Sequence, residues 1–280
     1  MISIITAIKN IIADGRKEML HRCIASVSSL DCEHIICDGG SSDGTVDFVK
    51  SLAFNFPKLR LDSKLDSGVY SAFNRGVSLA NGKWVYFLGS DDYLIEPQKL
   101  IETVKEAESK RVEMIVSPVM NSDGTYSFKS RNDCGNILII KPYCHQGVVM
   151  TKSLILKLGG FNEAYRIASD FELCLKAHLE NIPCCFNSKY YACFSVGNGL
   201  SMAGGGERRE RLEITQKMLR IPRTETKLLF QKQLLPYKII FPLMWHKNSI
   251  VRQGARYAFA RRLANVIGLL NDEGGPKSWF

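Results

Sequence analysis

Carboxylates punctuate this chain where apolar runs give way to turns and helices. Asp38 heads the turn Asp38-Gly39-Gly40-Ser41 and Asp66 heads Asp66-Ser67-Gly68. Asp91 and Asp92 follow the apolar run KWVYFLG at 83–89, and Asp170 opens a further helical pattern. Adjacent carboxylates behind a buried strand repel one another and lose hydration, so they are costly unless something cationic joins them. An all-oxygen set suits Mg²⁺ or Mn²⁺, ions that bind diphosphates through few protein carboxylates. Read without a cation, Asp91-Asp92 is a solvated turn or the cap of the helix after Pro97, and Asp170 is a helix N-cap.

Other chemistries lack their residues. No Gly-x-Gly-x-x-Gly follows the first strand and no P-loop is present, which excludes those two nucleotide cradles. Cys32, His34 and Cys37 could suggest zinc, but they alternate across a strand without a fourth ligand, so core packing is the better reading.

The elements that must hold these groups are legible from periodicity. ISIITAI (2–8), HIICD (34–38), LRLD (59–62), KWVYFLG (83–89) and VEMIVSPV (112–119) read as strands. Between them, Asp14 is a candidate cap for a helix through Met19 to Val27, and helices follow through Val46 to Leu52, over 69–80, and through Leu100 to Val104. Strand-helix alternation of this kind predicts a doubly wound, mostly parallel sheet, whose ligands bind beyond the carboxyl ends of the strands. Three such ends are polar: Thr6 to Asn10, the Asp38 turn and Ser90-Asp91-Asp92. Beyond residue 120 the pattern changes to an Asp-Gly hairpin at 121–128, strand-like ILII and GVVM within 137–150, a helix over 170–180, an apolar run at 183–196 and a glycine-rich, mobile stretch from Gly197 to Gly206.

The net charge of +9 is unevenly placed. Residues 1–205 hold 22 Lys+Arg against 22 Asp+Glu, whereas 206–280 hold 15 against 6, so the whole surplus lies in the tail. A catalytic body (1–205) with a basic, amphipathic helical extension (206–280) fits this split; a nucleic-acid binder with charge spread evenly does not. LLFQKQLLPYKIIFPLMW (228–245), interrupted by Pro236 and Pro242, and the arginine-rich segment at 248–268 place apolar anchors among cations. That composition suits the anionic surface of a membrane, and the alternative is a helical cap on the body or on a second copy in a homodimer. No run reaches the roughly 18 apolar residues of a membrane span. The first residues show no basic leader, and nine cysteines without a Cys-x-x-Cys pair read as reduced thiols.

DGGSSDGT (38–45), DSGVYSAFNRG (66–76), KWVYFLGSDD (83–92), HQGVVM (145–150) and GGFNEAYRIASDFEL (159–173), in this order, resemble the successive motifs of family 2 inverting glycosyltransferases, in particular bacterial enzymes of surface-polysaccharide (O-antigen, lipopolysaccharide) assembly. The resemblance covers roughly residues 1–205 and implies a single nucleotide-diphospho-sugar transferase (GT-A-like) α/β domain. It implies that Thr6 and Ala7 line a base pocket, that Asp38 with Gly39 meets the uracil ring, and that Asp66 and Gly68 help hold the nucleoside. The family's Asp-x-Asp element falls on Gly89-Ser90-Asp91, glycine replacing its first carboxylate, so both Asp91 and Asp92 are nominated for the metal, with Ser90 beside the donor. Asp170 matches the catalytic base, and the acid that usually precedes it is Ser169 here. His145-Gln146 either faces the acceptor or forms a structural hydrogen-bonding pair.

The implied reaction moves a hexosyl or N-acetylhexosaminyl group from a UDP-sugar to a polyprenyl-diphosphate-linked acceptor, at the inner face of the cytoplasmic membrane. A metal would neutralise the leaving diphosphate, and one carboxylate would take the acceptor's proton in a single displacement. The competing readings are a sugar nucleotidyltransferase, whose Gly-rich, Arg-containing first loop is missing from IITAIKNIIADG, and a non-catalytic membrane or nucleic-acid adaptor acting through the tail.

Overall fold

The computed structural model describes residues 1–128, 144–196, 206–219 and 237–245, with positions 252, 255, 256 and 259. The chain divides into two compact units. One comprises Met1–Ser130, Tyr143–Leu173 and Ile182–Ala203; the other comprises Arg131–Pro142, Cys174–Asn181 and Gly204–Phe280.

In the first unit, strands and helices alternate as the periodicity predicts: β1 (Ile2–Ile8), α1 (Lys17–Val27), β2 (Glu33–Asp38), α2 (Thr45–Ala53), β3 (Leu59–Ser63), α3 (Val69–Leu79) and β4 (Trp84–Phe87). Two-residue β5 (Tyr93–Leu94) and α4 (Pro97–Ser109) follow, then β6 (Met114–Val116), β7 (Val119–Asn121) and β8 (Tyr126–Phe128). A single 3-10 turn at His145–Gly147 leads into β9 (Val148–Thr151), α5 (Lys152–Lys157) and the start of α6 (Ser169–Leu179); β10 (Cys184–Phe186) and β11 (Ala192–Phe194) complete it.

The seven-stranded sheet runs β10-β6-β9-β4-β1-β2-β3. β9 is antiparallel to both its neighbours, and every other pairing in the sheet is parallel. Parallel strands covered on both faces need continuous apolar sequence, and all four residues of β4 are buried. Its two polar aromatics stay satisfied: Trp84 Nε1 donates to Glu108 at 3.0 Å and the Tyr86 hydroxyl to the Gln146 carbonyl at 2.8 Å. On one face Ile8, Leu20, Ile24, Ile36, Val49 and Leu52 form a core under α1 and α2. A second, larger cluster joins β1, β4 and α4 through Ile4, Trp84, Tyr86, Leu100 and Val104.

Two expectations need correction, and two features add to the sequence pattern. Asp14 is not the helix cap: α1 starts at Lys17 after Arg16, and the Asp14 carboxylate instead accepts from the Arg16 guanidinium at 2.6 Å. The fifth strand is two, because Ser117-Pro118 interrupts it; Pro118 has no N–H to donate, and β7 joins a separate four-stranded sheet, β5-β11-β7-β8. The run at 183–196 likewise splits between the two sheets. α5 carried no predicted pattern; it is capped by Thr151, whose hydroxyl accepts from the Leu154 amide at 3.2 Å.

In the second unit, α7 (Gly206–Leu219) begins where the sequence predicted and carries the i,i+4 ion pairs Glu207–Arg211 and Glu213–Lys217. α8 (Tyr237–Leu243) contains Pro242 and ends one residue after it. The ILII segment, the stretch 197–205 and most of 220–236 and 246–280 lie outside the described residues.

Candidate active site

The parallel register brings Ile8, Asp38 and Ser63 level at one edge of the sheet. Asp38 is fully buried, and its carboxylate accepts from the Gly40 amide at 3.1 Å, the Ser41 amide at 3.0 Å, the Ser63 hydroxyl at 2.7 Å and the Ser41 hydroxyl. It shapes the DGGSS turn from within, as short acidic side chains do in Asx turns. This departs from the expectation that Asp38 meets a uracil ring, since both its oxygens are occupied and sealed. Asp66 lies beside it. Its Oδ1 accepts from the Gly68 amide at 3.2 Å, and a Cβ at Gly39 would stand 2.8 Å from that oxygen, so only glycine lets the two turns approach.

Arg75 on α3, which the motif reading left without a role, ties this edge together. It reaches Asp62 at 2.5 Å, Asp66 at 3.5 Å and the Asp38 carbonyl at 2.7 Å. Thr6 is also corrected. Its side chain is fully buried with its hydroxyl 2.9 Å from His34 Nε2, so it does not line a pocket; Ala7 is the half-buried position of β1.

The turn after β4 holds the acidic pair. The Ser90 hydroxyl accepts from Arg16 at 3.3 Å, and the Asp91 carbonyl accepts from Arg22 at 3.2 Å and from the Ser195 hydroxyl at 2.6 Å. Asp92 is only 1% exposed; its Oδ1 accepts from the Ser195 amide at 2.8 Å and its Oδ2 from Gln146 Nε2 at 2.9 Å. Burial first, and the neighbouring Asp91 second, push the Asp92 carboxyl up to about 7. A Cβ at Gly89 would lie 2.3 Å from Asp92 Oδ2. The carboxylate of Asp92 therefore occupies the space that a side chain at position 89 would need.

Asp170 is the second residue of α6 and is 6% exposed. Its Oδ1 lies 3.2 Å from the Tyr70 hydroxyl, which also donates to the Ile167 carbonyl at 2.6 Å. Its Oδ2 lies 4.0 Å from His145 Nδ1. The His145 ring stacks against Phe73 and Phe87 and meets Phe161 edge-on. The adjacent Gln146 accepts from the Cys144 thiol at 2.6 Å while donating to Asp92. Of the two readings of this dipeptide, the contacts fit structural pairing for Gln146, and they set His145 beside Asp170. The dipeptide thereby links the acidic turn to Asp170.

The predicted residues thus form two clusters: Asp38, Gly39, Asp66 and Gly68 around Arg75, and Ser90, Asp91, Asp92, His145, Gln146 and Asp170 around the end of β4. Sequence reading missed Tyr70 and Arg75, though both lie inside the 66–76 motif, and Ser195, which had no local signal. Cys32, His34 and Cys37 do not share a centre, since His34 turns to Thr6 while Cys37 lies under Gly76.

Among the described residues no three His, Cys, Asp or Glu groups converge as a ready metal cage. Mg²⁺ and Mn²⁺ do not need one: they take one or two carboxylates and complete their shell with phosphate and water. With both Asp92 oxygens engaged by Gln146 and the Ser195 amide, Asp91 is the carboxylate of the turn left to meet such an ion.

The sequence profile described as "Glycosyl transferase family 2" matches residues 3–170. A Mycobacterium bovis protein described as "PGL/p-HBAD biosynthesis glycosyltransferase" is 31% identical over 177 residues, 61% of this chain and 67% of its own. The chondroitin synthase of Pasteurella multocida is 31% identical over 188 residues, 60% of this chain and 19% of that protein. Among solved structures, S. aureus TarS 1-349 in complex with UDP-GlcNAc superposes with a TM-score of 0.62 at 16% identity, covering 94% of this chain and 92% of that one. The Pyrobaculum calidifontis mannosyltransferase PcManGT, solved with GDP-Man and Mn²⁺, gives 0.61 at 17%, covering 96% and 76%.

Proposed function

The chain belongs to glycosyl transferase family 2, and from that membership we propose that it transfers a sugar, with inversion, from a UDP-sugar to a lipid-linked saccharide of polyprenyl-diphosphate type. The observation that carries the reading is the contact path Asp92–Gln146–His145–Asp170, which joins the acidic strand end to a second, nearly buried carboxylate.

In this reading Asp170 accepts the proton of the acceptor hydroxyl as the glycosidic bond forms. An alcohol is a poor nucleophile at neutral pH, and a positioned base contributes about 10²–10⁴-fold. The Tyr70 hydroxyl, whose one proton is shared with the nearer Ile167 carbonyl, stands 3.2 Å from Asp170 Oδ1 and helps orient that carboxylate. The aromatic wall of Phe73, Phe87 and Phe161 around His145 keeps water from the base. Asp91 would hold a divalent ion, Mg²⁺ or Mn²⁺, which when bound supplies Lewis-acid neutralisation of the leaving diphosphate. Asp92 fixes the turn that presents Asp91. Asp66, Gly39 and Gly68, braced by Arg75, form the edge that holds the nucleoside; Ala7 borders it. The PcManGT structure holds Mn²⁺ with its nucleotide sugar and TarS holds UDP-GlcNAc, and both share this fold.

The acceptor and the setting are inferred from the tail. No helix among the described residues is long and apolar enough to cross a membrane. Phe241 and Trp245 of the α8 region are 44% and 72% exposed, within the most basic quarter of the chain. Exposed aromatics beside cations suit peripheral attachment to an anionic leaflet, which supports the reading of an enzyme working at the cytoplasmic face in surface-glycan assembly.

The test is a thermal-shift and hydrolysis scan of the full chain against UDP-, GDP- and dTDP-sugars with and without Mn²⁺. A nucleotide that binds the folded state raises the melting temperature by mass action. UDP with Mn²⁺ is expected to do so most; a shift confined to another nucleotide, or to nucleic acid, overturns the donor assignment.

A further inference from the structure

A polar thread crosses the core beneath α1. His34, Thr6 and Cys23 are 3%, 0% and 0% exposed. Thr6 Oγ1 lies 2.9 Å from His34 Nε2 and 3.9 Å from Cys23 Sγ, within the longer reach of sulfur. Cys23 Sγ in turn donates to the Gly89 carbonyl at 3.3 Å. That carbonyl also receives the Asp92 amide at 3.1 Å and so closes the Gly89–Asp92 turn.

The direction of the thread follows from proton counting. A carbonyl only accepts, so the single thiol proton of Cys23 points at Gly89. The sulfur can then only accept from Thr6. The Thr6 hydroxyl has one proton, given to Cys23, so its oxygen must accept from His34. His34 therefore carries its proton on Nε2 and leaves Nδ1 bare. His34 Nδ1 is buried without a hydrogen-bond partner. A bare acceptor is the more tolerable orphan, since stranded N–H groups are rarer in native structures than under-satisfied acceptors. Burial keeps every member in the required state: it draws the imidazole down to about 3, hence neutral, and pushes the Cys23 thiol far up.

We infer that Cys23 is a positioning residue for the acidic turn, the last link of a one-way donor chain from His34 through Thr6 to the Gly89 carbonyl. This rests on reading that turn as the donor side of the transfer site. The thread anchors the carbonyl around which Asp91 and Asp92 are arranged, and it does so from α1, an element with no acid of its own in the site. An apolar side chain could fill the same volume, but it could not hold the carbonyl.

The experiment uses the full chain. Nitrogen-15 NMR of the His34 side chain, assigned against His34→Gln, reads the tautomer directly; neutral imidazole protonated at Nε2 is expected, and Thr6→Val should shift those signals. Cys23→Val, close in shape but without the proton, should keep the parent melting temperature while kcat falls about tenfold at little changed donor KM, the size expected of a small misplacement. Cys23→Ser, which restores a donor, should recover most of that loss. Protonation at Nδ1, an imidazolium at neutral pH, or full kcat in Cys23→Val overturns the inference. A parent chain with no transfer from any nucleotide sugar would instead sink the reading of the site, while the nitrogen spectra would still decide the thread.

Discussion

Gln146 donates to Asp92 Oδ2 at 2.9 Å, so a residue at the entrance of β9 holds the acid at the exit of β4. Replacing Gln146 with Leu strips one oxygen of a buried carboxyl of its donor. The cost is expected to be about 1–3 kcal/mol of stability, read as a lower urea midpoint at unchanged slope. Gln146→Glu sets a second carboxylate against Asp92 and should cost more at pH 8 than at pH 5.

Asp91 and Asp92 should fail differently. Asp91→Asn is expected to abolish the Mn²⁺-dependent part of UDP binding, measured by calorimetry with and without the ion. Asp92→Asn keeps the acceptor for the Ser195 amide and removes a buried charge, so its UDP binding should weaken only about tenfold. Equal losses in the two variants would contradict the division of labour between them.

At the other carboxylate, Asp170→Asn should lower kcat by about 10³-fold while UDP affinity stays near that of the parent. Tyr70→Phe retains the stacking on Phe161, at 5.4 Å between ring centroids, and loses only the hydroxyl. It should lower kcat less, with its melting temperature little changed. Near-full turnover in Asp170→Asn would remove the base assignment.

Gly89 tests how tightly the acidic turn is packed. The Cβ of Gly89→Ala would meet Asp92 Oδ2 at 2.3 Å. Overpacking of this kind costs about 1–3 kcal/mol, and the displaced carboxylate should take activity with it. Gly89→Asp, which would restore the family's Asp-x-Asp spelling, should be worse than Gly89→Ala in both respects.

Acid should unfold the protein through its buried imidazoles. Burial draws His34 down to about 3 and His178 to about 4, while both regain ordinary basicity when unfolded. The unfolded chain then binds more protons between about pH 6.5 and pH 3–4, so stability falls as pH falls through that window, by up to about 1.4 kcal/mol per pH unit for each group. Asp92, pushed up to about 7, works the other way across the same window and offsets roughly one imidazole. Urea titrations at pH 7 and pH 5 should therefore show the net loss from the pair, and His34→Gln should abolish most of it.

Much of this was readable beforehand, for identifiable reasons. β1 to β4 and α1 to α3 emerge because apolar alternation and helical spacing are local properties. The acids at 91 and 92 stand out because charge beside buried sequence is conspicuous, whereas Asp170 is picked out by its resemblance to a family motif. Thr6 is sealed because β1 is covered on both faces, Ile4 and Ile5 alike being fully buried, so a polar residue near the strand's end need not face a ligand. Asp38 was misjudged because the serines that satisfy it are also the residues expected around a ligand. The direction of β9 is not written in GVVM, since a short apolar run pairs equally well either way. Ser195, a hundred residues from its partner Asp92, is found only once the chain is folded.

Among the described residues β9 is the one strand of the large sheet laid against the grain. The chain consequently leaves the working edge through it, whereas through β1, β2 and β4 it arrives there. The loops that follow those arrivals can be lengthened independently of one another, but the start of β9 is pinned between two neighbours that already fix its height. Transplanting residues 144–151 from a relative would thus carry its spacing between the two acids as a self-contained cassette, leaving the nucleoside edge of the recipient unaltered.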